Sequence, residues 1–245
     1  MKLRVRYTKL GKVRFTSHRD TARHWERALR KAGVRVAYSG GFTPRPKISF
    51  GLALPTGAES LAEYLDLDLE PDLEPDLEHL SPDELAERCG IELPVGYSVT
   101  RIVPRDAGAV SLQDAVVACT WQVSLAGVER SQAEQSVALV LAAPELMVTR
   151  ERKGQRSTDD VRPAIATLAI IDDADDDRPQ LVAELTTTGR GLRPLELVAA
   201  LFPHHDAVDA AARILRTHQW IECDGERREV IPAQPSTPRA LTGCA

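Results

Sequence analysis

Apolar and polar residues alternate from the start of the chain. Leu3, Val5 and Tyr7 fall on one side and Arg4 and Arg6 on the other, the period-two pattern of a strand. Gly11 predicts a turn, after which Val13 and Phe15 predict a resumed strand. Ser17, with Asp20 three residues on, predicts a capped helix, and Ala22, Trp25, Ala28, Leu29 and Ala32 recur at helical spacing up to a Gly33 stop. Beyond Val34–Tyr38 and a Gly/Pro-rich loop, Ile48, Phe50, Leu52 and Leu54 predict a second alternating strand, and Leu65, Leu67 and Leu69 a third. Ser81-Pro82 opens a short helix through Cys89, and residues 96–103 read as a last strand. The order β-α-β-β-α-β predicts an α+β fold, a ferredoxin-like split βαβ domain over residues 1–104.

Residues 105–231 predict a second α+β domain, laid out as a divergent ferredoxin-like copy of the first. Its strands are expected at 115–125, 145–152, 164–171 and 180–187, and its helices at 131–142, 194–202 and 206–217. The run Asp172–Asp177 is expected to be an acidic hairpin turn, and Asp224-Gly225 to turn a last hairpin. Residues 232–245, rich in proline and poor in apolar residues, read as a disordered tail.

Composition narrows the class. With 43% hydrophobic and 27% charged residues, the 245-residue chain reads as an ordinary globular protein. No apolar run approaches the ~20 residues of a membrane span, and the start lacks a secretory leader pattern, so no membrane partner and a cytoplasmic location are expected. Cys89, Cys119, Cys223 and Cys244 stand at least 21 positions apart, too dispersed for a zinc knuckle or an iron–sulfur clamp. Neither metal nor cofactor is therefore expected.

The net charge of −5 conceals an asymmetry. Residues 1–50 hold 14 Lys/Arg against Asp20 and Glu26, and residues 51–100 hold 13 acids against Arg88. A clustered basic field attracts a polyanion even on an acidic chain. Pairing of the first strand beside the third would set Arg4 and Arg6 against Asp66 and Asp68, which neutralises the open sheet. That leaves the first helix, where Arg19, Arg23, Arg27 and Arg30 form one stripe, and the loop over residues 39–47. In that loop Gly40 and Gly41 let the backbone approach a ligand, Phe42 can stack on a base, and Arg45 and Lys47 can hold phosphates. Pro44 and Pro46 stiffen the segment. A competing reading makes His18 or His24 a general acid or base, assisted by Tyr38 or Lys47, in a metal-independent endoribonuclease. In a third, the basic face meets an acidic protein.

The segments GKVRFTSHRD, ERALRKAG and YSGGFTPRPKISFGLALPTG, followed by ESLAEYLDLDL, resemble the signature of a family of radical-SAM-linked proteins. The resemblance is strong over residues 2–70 and extends through the later KG and LRP segments to about residue 220. Arg19 and Gly40 depart from the family pattern. The resemblance implies a radical-SAM protein as partner. Joined to the basic helix and loop, it leads to the expectation of a non-catalytic accessory protein that binds structured RNA, tRNA or rRNA, for such an enzyme.

Overall fold

The computed structural model describes residues 1–70, 81–106, 108–173, 176–189, 191–223 and 225–232. The expected disordered tail, apart from Pro232, and the centre of the acidic turn lie outside these residues.

The first unit comprises β1 (Lys2–Lys9), α1 (His18–Lys31), β2 (Ile48–Phe50), β3 (Glu59–Asp68), α2 (Pro82–Glu92) and β4 (Tyr97–Pro104). Its strands lie in the order β4-β1-β3-β2, all antiparallel, which is the ferredoxin-like arrangement. Helix α1 begins where the cap predicts, with the Asp20 amide donating to Ser17 Oγ at 3.1 Å. In α2, Ser81 and Glu84 form a reciprocal capping box. Both helices cover one face of the sheet, where Trp25, Leu29, Cys89 and Leu85 pack on Val5, Tyr7, Leu65 and Leu67. Each such side chain contributes about 1.5–3 kcal/mol by leaving water.

The second unit repeats the arrangement. After a one-turn helix α3 (Leu112–Ala115) come β5 (Val116–Leu125), α4 (Arg130–Ala142), β8 (Ile165–Asp173), β9 (Asp176–Thr186), α5 (Pro194–Leu201), α6 (Ala207–Ala210) and β10 (Ala211–Cys223). Their order is β10-β5-β9-β8, again all antiparallel. A separate hairpin, β6 (Met147–Arg152) with β7 (Gln155–Asp160), is inserted between α4 and β8. Trp121, Val137, Leu181 and Leu197 belong to this unit's own core.

One sheet runs through both units. Strand β3 pairs in parallel with β10, Leu215 opposite Glu59 and Arg216 opposite Ser60. Short β2 occupies the other end of the same edge, opposite Leu65–Leu67. This sharing explains why the strand expected over 48–54 stops at Phe50: β10 takes the remainder of the edge, and the chain from Gly51 turns away.

Three other expectations are corrected. Val13 and Phe15 lie in a 3-10 turn, Gly11–Phe15, in which Val13 is buried and Phe15 exposed. The helix expected over 206–217 is one turn long, and from Ala211 the chain is β10. Alanine-rich local sequence favours helix there, but the slot between β3 and β5 supplies hydrogen-bond partners on both edges and wins. The open sheet is neutralised, though by only one of the two pairs expected. Arg4 does grip Asp66 with two bonds, of 2.7 and 3.0 Å. Arg6 instead reaches β11 (Glu226–Glu229), pairing with Glu229 at 2.8 Å and donating to the Ile231 carbonyl at 3.0 Å. Asp68 is taken by Arg105 at 2.8 Å. The segment after β11 thus lies over the open face of the first unit, a long-range return that local pattern does not encode.

Candidate nucleic-acid interface

Helix α1 runs alongside β2 and the loop that precedes it. At its start the His18 ring stands edge-on to Phe50, 5.3 Å between centroids. Toward its end, Glu26, Leu29 and Arg30 face Tyr38, Pro46 and Ile48 across a groove of about 410 Å³. At about 100° per residue, Arg19, Arg30, Arg23 and Arg27 follow each other around the solvent flank next to this groove. Arg19 and Arg30 are nearest the loop and Arg27 farthest. All four are exposed. Arg23 pairs with Asp20 at 3.3 Å, so both Asp20 and Glu26 lie beside the stripe. The Ser17 hydroxyl, and then Arg23, hold the Asp20 carboxyl below the usual carboxylate range. The groove itself is mixed, since Glu26 and Glu70 line it together with Arg30 and Arg35.

The loop is closed at its base. The Ser39 amide donates to the Arg45 carbonyl at 2.8 Å, and the Arg45 amide returns a bond to Ser39 Oγ at 3.0 Å. The Lys47 amide donates to Ala37 at 2.7 Å, which ties the loop to the sheet. Gly40–Pro44 project beyond this clasp. Gly41 has φ +109°, a region that side chains avoid, while a Cβ at Gly40 would meet nothing within 4 Å. Phe42 at the tip is 110% exposed relative to a reference residue. Arg45 and Lys47 are exposed on the returning limb. Lys47 and Arg45 also border a second hollow that contains Asp66, Asp68 and Arg105, so the loop wraps the β2 edge toward the open face.

The competing acid–base residues are not brought together. His24 is half-buried against Tyr97, 5.8 Å between ring centroids. Its Nδ1 is enclosed without a hydrogen-bond partner among the described residues. The reason is helical phase: His24 lies about 120° around α1 from His18, on the flank turned toward β4 and away from the loop. Tyr38 is 58% exposed, across the groove from Arg30.

Two features escaped sequence reading. Arg14 stacks over the exposed Phe15 ring, 4.7 Å from its centroid, and the Gly57 amide docks on the Arg14 carbonyl at 2.8 Å. This second aromatic–cationic pair was hidden because Val13 and Phe15 fit strand alternation. The other is Arg216, 1% exposed at the seam between the units. Its Nε donates to Glu63 at 3.1 Å and its Nη2 to the Leu52 carbonyl at 2.9 Å. A buried arginine in a segment read as helix carried no signal. Among the described residues no group of three or more His, Cys, Asp or Glu side chains could hold a metal ion, and no helix is long and apolar enough to cross a membrane.

Residues 2–194 match the model of a family described as "Uncharacterized protein conserved in bacteria (DUF2344)". No curated protein matches. Among solved structures, a chain of the "Crystal Structure of a Cbf5-Nop10-Gar1 Complex" is similar at a TM-score of 0.44 and 7% identity, over 89% of this chain. The match spans about half, 48%, of that chain. A likeness at that level supports nothing beyond itself.

Proposed function

The chain belongs to this bacterial family, and for this member we propose a non-catalytic, RNA-binding role, with structured RNA such as tRNA or rRNA held on the face made by α1 and the 39–47 loop. Phe42 carries the reading. A phenylalanine costs free energy when left in water, and here it is fully exposed at the tip of a loop closed by backbone bonds, with Arg45 and Lys47 on the adjoining limb. A ring for stacking beside cations for phosphate is the pairing that single-stranded RNA segments require. The arginine flank of α1 extends the positive field along the same side. The motif resemblance supports a radical-SAM protein as the enzyme to which the RNA is presented, with cytoplasmic location following from that partnership.

Filter binding of total tRNA across a salt series tests the reading. Arg45→Ala and Lys47→Ala are each expected to weaken binding and to flatten the log–log salt slope by about one. Phe42→Ala is expected to cost about 1–3 kcal/mol with little change of slope. If Arg101→Ala, on the opposite face, changes the slope while Arg45→Ala does not, the interface lies on the open sheet. RNA cleavage in EDTA that is lost in His18→Ala would make the protein a nuclease. Affinity purification from cells tests the radical-SAM partner, whose repeated absence would remove that part of the proposal.

A further inference from the structure

The seam between the two units holds a cavity of about 290 Å³ that the interface above does not use. Leu52 and Pro55 from the first unit form one wall, and Leu185 and Pro194 from the second form the other. Arg216 and Cys119 lie at its base. Two of the family-like segments therefore meet here, the one that ends in LALPTG and the one that reads GLRP.

We infer that this cavity takes one nucleobase extruded from the bound RNA, an inference that rests on the RNA-binding reading. With about 290 Å³ of open volume, it has room for a single planar base. Leu52, Pro55, Leu185 and Pro194 give it apolar surface, as a base face requires, and Thr186, Thr187 and Arg193 add polar groups to the lining. The base of the cavity is a guanidinium whose plane is fixed by Glu63 and the Leu52 carbonyl, so its donors are preset for an in-plane acceptor. Its further neighbour is the Cys119 sulfur, a weak acceptor that a base carbonyl can replace. Glu63 already neutralises Arg216, so the buried end of the cavity suits a neutral heterocycle, and the exposed Arg193 is the lining's remaining cation. The thiol is an unsuitable nucleophile, because burial pushes Cys119 up and away from its thiolate, which makes this a binding pocket and not a covalent site.

The position is also right for a strand held at the loop. Lys47 and Leu52 are five positions apart through β2, so they stand at most about 17 Å apart at ~3.4 Å per residue. Extrusion costs least for a base that is already unpaired, so the pocket selects single-stranded positions.

The experiment uses the full chain with a fluorescein-labelled, random-sequence single-stranded oligoribonucleotide that carries scattered 4-thiouridine. Ala53→Trp and Pro55→Phe fill the cavity from exposed rim positions. Each is expected to lower affinity about tenfold, the equivalent of one stacked base, with an unchanged salt slope. Irradiation of the wild type is expected to give adducts in the peptide that contains Cys119 and Trp121 as well as in the 39–47 peptide. Adducts confined to 39–47, with both rim variants binding like the wild type, overturn the pocket and leave the RNA interface standing. No binding by the wild type overturns both.

Discussion

Arg216 and Glu63 close on each other across the line where the two units share one sheet. Arg216 lies on β10, Glu63 on β3, and both are almost fully enclosed, at 1% and 8% side-chain exposure. Arg216 also stands over the Trp121 ring, 5.4 Å from its centroid, and so bridges the first unit's strand to the second unit's core. Removal of one partner strands the other charge in a medium that cannot solvate it. Arg216→Met is therefore expected to cost about 3–5 kcal/mol in urea unfolding. The double variant Arg216→Met, Glu63→Leu should recover much of that loss, because an apolar pair of similar volume needs no solvation. A double variant no more stable than the single one would show that the pair's geometry, and not its charge, holds the seam.

Glu59 adds a pH-dependent tie at the same seam. Burial by itself raises its pKa, but the bond from Arg213 at 2.6 Å, the Gly11 amide at 2.6 Å and nearby Arg14 outweigh burial and hold the carboxyl below the usual range. A depressed folded-state pKa gives stability that is full above the unfolded value of about 4.3 and is lost as pH falls through the folded one. Glu59→Gln should thus be less stable than the wild type at neutral pH, and the gap should narrow as pH drops below about 4. Urea melts at a series of pH values measure it. A gap independent of pH would mean that the carboxylate charge contributes nothing.

Phe42 and Trp25 are opposite cases of the same residue class. Trp25 is 0% exposed in the first core, and Trp25→Ala is expected to cost about 3–5 kcal/mol. Phe42→Ala should leave the melting temperature unchanged, since the ring touches solvent on all sides. A clear fall in thermal stability for Phe42→Ala would assign the ring a packing role.

Gly96 and Gly41 separate close approach from backbone freedom. Gly96 has φ +105°, and a Cβ there would come within 2.5 Å of the Leu10 carbonyl oxygen and 2.7 Å of Val13. Gly41 has φ +109° with open space around it. Strain at such a φ costs on the order of 1–3 kcal/mol. Gly96→Ala should exceed Gly41→Ala in denaturant titrations, because only Gly96 adds a clash with backbone that cannot move.

Thiol accessibility checks both cores. Burial pushes Cys89 up to about 11, and Cys119 is raised for the same reason. Neither should be labelled by a disulfide reagent at about pH 8 in the native protein, and both should react in denaturant. Rapid native labelling of Cys119, mapped by mass spectrometry, would show that the thiol is reached through the seam cavity.

Sequence alone determined the units that depend on neighbours within a turn or a strand. The Ser17 and Ser81 caps, the apolar stripe of α1, the alternation in β1 and β3, and the exposed loop with Phe42, Arg45 and Lys47 are all written in spacing of a few residues. The βαββαβ order follows from those elements, and from it the α+β class and the Arg4–Asp66 pair. Tertiary structure decided what local pattern leaves ambiguous. Residues 211–217 suit a helix by composition, yet become strand because an unfilled slot in the sheet satisfies their backbone. Arg6 takes Glu229 and not Asp68, since a partner 223 positions away returns across the face. His24 turns inward through helical phase, and Phe15 outward because Gly11–Phe15 coils into a turn. The cavity at Arg216 exists only where two distant segments meet, and a spacing read along one chain cannot express that meeting.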